Sequence, residues 1–127
     1  MTKLCNQIIV AVNIAAVSEA MVLGQMAGVS PEVIFQAIRG GLAGSTVMEN
    51  KASMMIGRNF QPGFKIDLPL KDLNNVLAAA KATGTPMVLT NQVTEMLKVL
   101  RRMGEGQRDH SAIVKFYEWM AGIELQA

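Results

Sequence analysis

A lysine and two carboxamide residues stand close together at the start of the chain. Lys3, Asn6 and Gln7 are spaced i, i+3 and i+4, so on a helix their side chains project from one face, which Asn13 continues. A lysine at the head of an otherwise apolar helix is suited to proton transfer, because partial burial disfavours its charged form and adjacent amides can orient a polar substrate. By spacing alone, a frayed polar first turn is the simpler interpretation.

A second set of polar residues follows a turn at Pro62–Gly63. Phe64 directly follows this turn. A helix that starts near Asp67 then contains Lys71 and Asp72 near its N-terminal end. A lysine near the positive end of a helix dipole is mildly unfavourable, so Lys71 calls for an explanation. Taken alone, the pair also fits a solvated lysine beside its aspartate neighbour.

Three further patterns carry less weight. The glycine-rich segment Gly40–Ser45 could offer backbone N–H groups to an anion, but it follows a helix and lacks a dinucleotide fingerprint, so we interpret it as a helix–turn–helix connection. His110 has only Asp109 beside it at ligand spacing, and we predict no metal site. Asp109, His110 and Ser111 do not predict a catalytic triad, because adjacent helical residues point in different directions and no nucleophile elbow is present.

Helices must position these residues, since capping and turn residues divide the sequence into six helical segments with almost no strand signal. We therefore predict an all-α, six-helix domain with a long first helix. The expected segments run from Thr2 to Ala27, from Ser30–Pro31 to Gly40, from a Ser45 cap to Arg58, from an Asp67 cap to Lys81, from a Thr85–Pro86 start to Met103, and from an Asp109 cap to Met120.

Size and composition fit one well-packed domain. The 127 residues are 50% hydrophobic and carry a net charge of +2 at pH 7, with basic residues scattered along the chain. Neither disorder nor nucleic-acid binding is indicated by this pattern. The single cysteine, Cys5, excludes an internal disulfide, fits a reducing cytoplasm and is expected inside the helical core.

The first helix is apolar on every side. Its most apolar run, Ile8–Val17, is shorter than the roughly 20 residues that a membrane span needs, and no signal peptide is visible. An amphipathic membrane-surface helix is disfavoured as well, because Glu19 stands where a cationic face would be required. A short helix that is apolar all round is typical of one buried on every side in protein. We expect an oligomer or a further domain to supply part of that cover.

The polar clusters, in their order along the chain, resemble the C-terminal domain of the β-hydroxyacid dehydrogenase family. That family includes 3-hydroxyisobutyrate dehydrogenase and, more distantly, 6-phosphogluconate dehydrogenase. The matching segments are Thr2–Gln7, Ala37–Val47, Asn59–Leu68, Lys71–Leu73 and Asp109–Ala112. Together they extend over nearly the whole chain, which is far more specific than any single cluster. The resemblance therefore outweighs the simpler interpretations of Lys3 and Lys71.

This resemblance implies roles for the first cluster. Lys3 corresponds to the family's catalytic lysine, which gives a proton to the carbonyl oxygen as hydride arrives, or removes it in the reverse direction. Gln7 stands where many relatives carry a substrate-orienting asparagine, and glutamine is typical of the reductase-like members. Asn6 lies beside it as a second substrate contact. The implied substrate is a small carbonyl compound that bears a carboxylate, or a related β-hydroxyacid.

The resemblance also implies a cofactor, NAD or NADP. Phe64 and Lys71 correspond to residues that line the cofactor side of the cleft, and Asp72 corresponds to a neighbouring site residue. Members of the family hold the nucleotide mainly on an N-terminal Rossmann domain and form dimers or tetramers through the helical domain. No G-x-G-x-x-G after a strand is found in this sequence. We therefore expect the nucleotide-binding domain to be absent from this chain, and the chain alone to be inactive.

The sequence thus predicts the substrate-side half of a cytoplasmic NAD(P)-dependent oxidoreductase, with no nucleic-acid or membrane partner. An alternative is a non-enzymatic dimerisation or scaffold module, whose apolar first helix is covered by a partner. Both interpretations predict self-association, so the oligomeric state does not separate them.

Overall fold

A computed structural model describes all residues from 1 to 127, as six α-helices and one turn of 3-10 helix. The elements are α1 (Thr2–Met26), α2 (Pro31–Ile38), α3 (Thr46–Ile56), α4 (Asp67–Thr83), α5 (Val88–Arg102), the 3-10 turn (His110–Ile113) and α6 (Val114–Ala121). The chain forms no β-sheet, and an isolated bridge joins Lys65 to Asp109. The predicted all-α, six-helix class is confirmed.

Helix α1 forms the centre of the domain and contacts every other helical element. One of its faces, including Ile14 and Met21, is buried in the core. The opposite face leaves Ile9 and Leu23 exposed by 66% and 70%, and Cys5 is exposed as well. The six helices of this chain thus leave one side of α1 uncovered, and the cover expected from an oligomer or a further domain stays a prediction. The expectation of a core cysteine is wrong.

By length and composition alone, α1 is long and apolar enough to cross a membrane. Its 25 residues contain a window of mean hydropathy 1.8, so the expectation of too short an apolar run rested on too narrow a segment. A core helix of a globular domain passes the same test, and one such helix is weak support for a membrane span. Ser18 fits the core role, because its buried hydroxyl donates to the carbonyl of Ile14 at 2.8 Å.

Three predicted helix starts are confirmed. Ser45 Oγ accepts a hydrogen bond from the backbone N–H of Met48 at 3.0 Å, as an N-cap does. Pro31 is the first residue of α2, where its missing N–H costs nothing. Asp109 Oδ2 accepts from the N–H of Ser111 at 2.9 Å, although the turn that it caps is 3-10 helix before α6 continues it.

Two predicted caps are wrong. Asp67 is the first residue of α4 rather than its cap, and its carboxylate accepts from Gln107 Nε2 at 3.1 Å instead. Helix α5 begins at Val88 rather than at Thr85–Pro86. The reason is that Thr85 follows the left-handed Gly84 cap of α4, and its N–H donates back to the carbonyl of Ala80 at 3.0 Å as part of that helix end.

The glycine-rich segment joins α2 to α3, as predicted. A Cβ atom on Gly44 would overlap the carbonyl oxygen of Arg39, so only glycine allows this close backbone approach. The side chain of Arg39 forms an ion pair with Glu49 of α3 at 2.6 Å. The connection thereby fixes where α3 begins, and with it the position of Ser45.

The C-terminal segment, residues 122–127, forms no helix but is held by side chains. Leu125 is buried, and its N–H donates to Glu118 Oε2 at 2.7 Å. The side-chain amide of Gln25 on α1 bonds two backbone groups of the same segment. These contacts tie the end of the chain to the core.

Candidate functional site

The two polar clusters of the sequence meet at one hydrogen bond between α1 and α4. Gln7 Nε2 donates to Asp72 Oδ2 at 2.9 Å, across 65 residues of sequence. Asn6 Nδ2 in turn donates to Gln7 Oε1 at 2.9 Å. A row of three side chains therefore runs from α1 to the first turns of α4.

Lys3 lies one helical turn before Gln7, and therefore on the face of α1 that meets α4. The side chain is exposed and forms no hydrogen bond or ion pair within the chain. The partial burial expected for this lysine is consequently not found here. Nothing within this chain covers its ammonium group.

Lys71 and Asp72 point in different directions although they are neighbours in sequence. Asp72 is half-buried against α1, whereas Lys71 is exposed and free of hydrogen bonds and ion pairs within the chain. The exposed Lys71 agrees with the alternative of a solvated lysine, whereas the adjacent Asp72 contacts Gln7 and not the lysine. Asp72 holds Gln7, and Lys71 is left available to another group.

Phe64 is held by a buried carboxylate that the sequence identified only as a helix cap. The backbone N–H groups of Gly63 and Phe64 each donate to Asp109 Oδ1 at 3.0 Å. Lys51 Nζ of α3 lies 3.2 Å from both oxygens of the same carboxylate. The Phe64 ring packs against the ring of His110, with 5.1 Å between ring centroids. Asp109 thus ties the Phe64 turn to α3 and to the 3-10 turn.

The environment of Asp109 favours its charged form. The residue is fully buried, and burial by itself opposes ionisation. The N–H groups of Ser111 and Phe64 outweigh that effect and lower the pKa of Asp109 to about 2. No local sequence pattern links residue 109 to Lys51 or Gly63, so only its capping role could be predicted.

A groove of about 460 Å³ opens beside this arrangement, between α1, α3 and the 3-10 turn. Its polar lining consists of Asn6, Ser45, Thr46, Asn50, Lys51 and His110, and its apolar wall includes Ile9, Val10 and Val47. Asn6 therefore belongs both to the row that ends at Asp72 and to this groove. Residues of α3 line this groove, and the sequence did not predict that α3 would take part in the site.

His110 lies in the wall of the groove and is only 6% exposed. Burial, together with the nearby positive charge of Lys51, lowers its pKa to about 4, although Asp109 opposes this shift. The imidazole is consequently neutral at pH 7. Its ring nitrogens form no hydrogen bond to Asp109 or Ser111, so the three residues are not arranged as a catalytic triad. The chain contains no group of three or more His, Cys, Asp or Glu side chains that could hold a metal ion.

Comparison with protein families gives one match that covers most of the chain. Residues 1–117 match the family described as "NAD-binding of NADP-dependent 3-hydroxyisobutyrate dehydrogenase". The chain is 45% identical over 123 residues to 2-hydroxy-3-oxopropionate reductase of Escherichia coli, and 32% identical over 123 residues to L-threonate dehydrogenase of Cupriavidus necator. Both alignments cover 97% of this chain, but 42% and 40% of the respective relative. The chain thus spans about two-fifths of the length of these relatives.

Solved structures show the same fold. A 3-hydroxyisobutyrate dehydrogenase from Salmonella typhimurium superposes with a TM-score of 0.86 at 30% identity, covering 90% of this chain and 40% of that one. A 3-hydroxyisobutyrate dehydrogenase of Mycobacterium tuberculosis, solved with L-serine, gives a TM-score of 0.83 at 25% identity, covering 91% of this chain and 42% of that one. The arrangement of the six helices is therefore that of one part of a larger dehydrogenase.

Proposed function

The chain belongs to the family of NADP-dependent 3-hydroxyisobutyrate dehydrogenases, and from this premise we propose that it forms the substrate-side domain of an NAD(P)-dependent β-hydroxyacid dehydrogenase. The reaction that we propose is the reduction of tartronate semialdehyde (2-hydroxy-3-oxopropanoate) to glycerate, or a related β-hydroxyacid interconversion. Support for this substrate comes from the 45% identity to a 2-hydroxy-3-oxopropionate reductase.

The observation that carries the proposal is the hydrogen bond from Gln7 to Asp72. Two clusters that the sequence separates by more than half its length become one continuous polar surface. Lys3 lies one helical turn before Gln7, and Lys71 directly precedes Asp72 in the sequence; both lysines are exposed, and neither has a hydrogen-bonding or ionic partner within the chain. Such a surface fits one wall of a cleft whose other wall lies on a second domain.

In the proposed reaction Lys3 is the general acid. Its ammonium Nζ gives a proton to the aldehyde oxygen as negative charge develops there, and takes the proton back in the oxidative direction. Asn6 and Gln7 bind and orient the substrate. Because Gln7 is held by Asp72 and accepts from Asn6, Asn6 keeps its Oδ1 and its second N–H for a ligand.

The residues present fit only one end of a nicotinamide nucleotide. The half-buried ring of Phe64 and the free ammonium of Lys71 are suited to its nicotinamide side, and Asp72 follows Lys71 in the sequence. No strand followed by a glycine-rich turn is available in these 127 residues to hold a pyrophosphate. We therefore assign the main binding surface for NAD or NADP to a Rossmann domain outside this chain. When bound, the reduced cofactor supplies the hydride.

We further propose that the whole protein is a cytoplasmic homodimer or homotetramer that assembles through the exposed face of α1. The competing proposal, a non-enzymatic scaffold module, explains the apolar face equally well. It gives no reason for two exposed lysines without partners next to residues of the polar row. Catalytic turnover therefore separates the two proposals, whereas association does not.

The test is NAD(P)H-dependent reduction of tartronate semialdehyde by the full-length protein and by its Lys3→Ala variant. Loss of a general acid should lower kcat by roughly 10²–10⁴-fold. Lys81→Ala, which removes an exposed lysine from the far end of α4, is the matched control and should leave kcat unchanged. The isolated 127-residue chain should show no turnover. Equal turnover of the Lys3→Ala variant and the wild type, with folding intact, would show that the role given to Lys3 is wrong.

A further inference from the structure

The imidazole of His110 forms no hydrogen bond within the chain, although most of the residue is buried. The residue is 6% exposed, and no side chain or backbone group accepts from or donates to its ring nitrogens. Its ring nitrogens are not fully enclosed, so in the absence of a ligand they are open to water, and a ligand that displaces this water must offer matching hydrogen bonds. The ring lines the groove that Asn6 also lines, so a molecule in the groove is the group that can reach it.

The start of α3 contributes further unused hydrogen-bond donors to the same groove. The backbone N–H groups of Thr46 and Val47 are the first two of the helix and have no acceptor. The hydroxyl and the carbonyl of Ser45 accept instead from the N–H groups of Met48 and Glu49. Both residues line the groove. An oxygen-bearing ligand would satisfy donors that the helix start leaves free.

The groove offers no unpaired charge. Lys51 is its only cationic side chain, and its ammonium is already bound by both oxygens of Asp109. The remaining polar lining consists of a neutral imidazole, two amides and two hydroxyls. Such a lining recognises a hydroxyl group better than a second full negative charge.

We propose that His110 is a specificity-determining residue, whose imidazole forms a hydrogen bond with the 2-hydroxyl group of a 2-hydroxy-3-oxo acid that enters the groove from the Asn6 side. This proposal rests on the proposed function, because the substrate must reach Asn6 for its hydroxyl to reach the groove. The low pKa of His110 is consistent with it, since a neutral ring has one donor and one acceptor nitrogen to match the two roles of a hydroxyl.

The experiment compares two substrates that differ only in this hydroxyl group, with the full-length protein. They are 2-hydroxy-3-oxopropionate and 3-oxopropionate. His110→Phe keeps a flat ring of similar size but removes both nitrogens, and should lower kcat/KM for the hydroxylated substrate about 10- to 100-fold while changing that for 3-oxopropionate little. His110→Gln, which restores a donor and an acceptor, should recover part of the loss.

Two outcomes would overturn the proposal. An equal loss on both substrates would mean that His110 only supports the fold or the Phe64 ring. If kcat/KM for both substrates is the same in His110→Phe as in the wild type, the hydroxyl group is bound elsewhere. Thermal unfolding of each variant shows whether a general loss comes from folding.

A binding measurement separates this proposal from the proposed function. Glycerate and 3-hydroxypropionate, the two reduced products, are titrated calorimetrically into the full-length protein without turnover. Tighter binding of glycerate that disappears in His110→Phe supports the hydroxyl contact even if neither aldehyde is reduced. Equal binding of the two acids by the wild type, or no binding of either, would contradict it.

Discussion

At the scale of single residues, Asp109 determines the geometry of the site more than any residue that the sequence marked as catalytic. Its capping role was predictable, because an aspartate before a helix start is a local pattern. Its contacts with Lys51, Gly63 and Phe64 join positions that are 45 or more residues apart, and no local pattern reports them. Asn6, Gln7 and Asp72 were predictable as polar clusters, but the bond that joins them was not.

The substitution Asp109→Asn tests whether the contacts of this carboxylate stabilise the fold. The near-isosteric change leaves the Lys51 ammonium, whose side chain is only 17% exposed, without its counter-charge. We expect the free energy of unfolding to fall by about 3 kcal/mol, as when one partner of a buried ion pair is removed. Urea unfolding of the wild type and the variant measures this loss of free energy. Asp67→Asn, at a more exposed pair with Arg101, is the control and should cost less than about 1 kcal/mol. Similar losses in both variants would contradict a special role for Asp109.

Acid should destabilise the chain in two separate windows. His110, the only histidine, has a pKa of about 4 when folded against an ordinary value of 6.5, so the unfolded state binds the proton first. The free energy of unfolding should therefore fall as the pH drops from about 6.5 to 4. Asp109 has a lowered pKa of about 2, so its contribution is lost as the pH falls further, from about 3.8 to 2.

Unfolding at a series of pH values measures both windows. The His110→Gln variant should lose the upper window and keep the lower one. A stability profile of the wild type that is flat between pH 6.5 and 4 would show that His110 is not kept neutral by the fold.

At the scale of elements, helix existence was easier to predict than helix starts. Ser45 and Pro31 mark starts because nothing else competes for them. Thr85–Pro86 carries the same type of signal, yet α5 starts at Val88, since Thr85 completes the end of α4. A capping residue between two close helices can serve either one, and the sequence does not say which.

The connection between α2 and α3 allows a paired test with two glycines. Gly44→Ala should cost about 1–3 kcal/mol, because its Cβ would meet the rigid backbone carbonyl of Arg39. Gly40→Ala, at a position with open space around the Cβ, should be neutral or stabilise by up to about 1 kcal/mol. Chemical denaturation of the two variants measures the difference. Equal stability of both would mean that the approach of Gly44 to Arg39 is not required.

At the scale of the whole molecule, the domain leaves one apolar face uncovered. Ile9, Leu23 and Met26 of α1 are each more than 60% exposed. The all-helical class and the polar clusters could be predicted, because periodicity and spacing lie within the chain. What covers α1 could not, since contacts with a surface outside this copy of the chain leave no local pattern in the sequence.

Interruption of this face tests the proposed assembly. Leu23→Glu introduces a charge in the middle of the apolar surface, so we expect the full-length protein to dissociate by one assembly step in sedimentation velocity. Leu42→Glu makes the same change at a fully exposed leucine in the turn between α2 and α3, and should leave the assembly intact. Dissociation by Leu42→Glu alone would move the interface to that turn.

The anchored C-terminal segment affects how the chain could be joined to another protein in the laboratory. Leu125 is buried only two residues before Ala127, with its N–H bound to Glu118 and its neighbours bound to Gln25. A fluorescent protein or affinity tag attached directly after Ala127 would be separated from the buried Leu125 by only two residues. A flexible glycine–serine spacer would let the attached partner move while Leu125 stays in place.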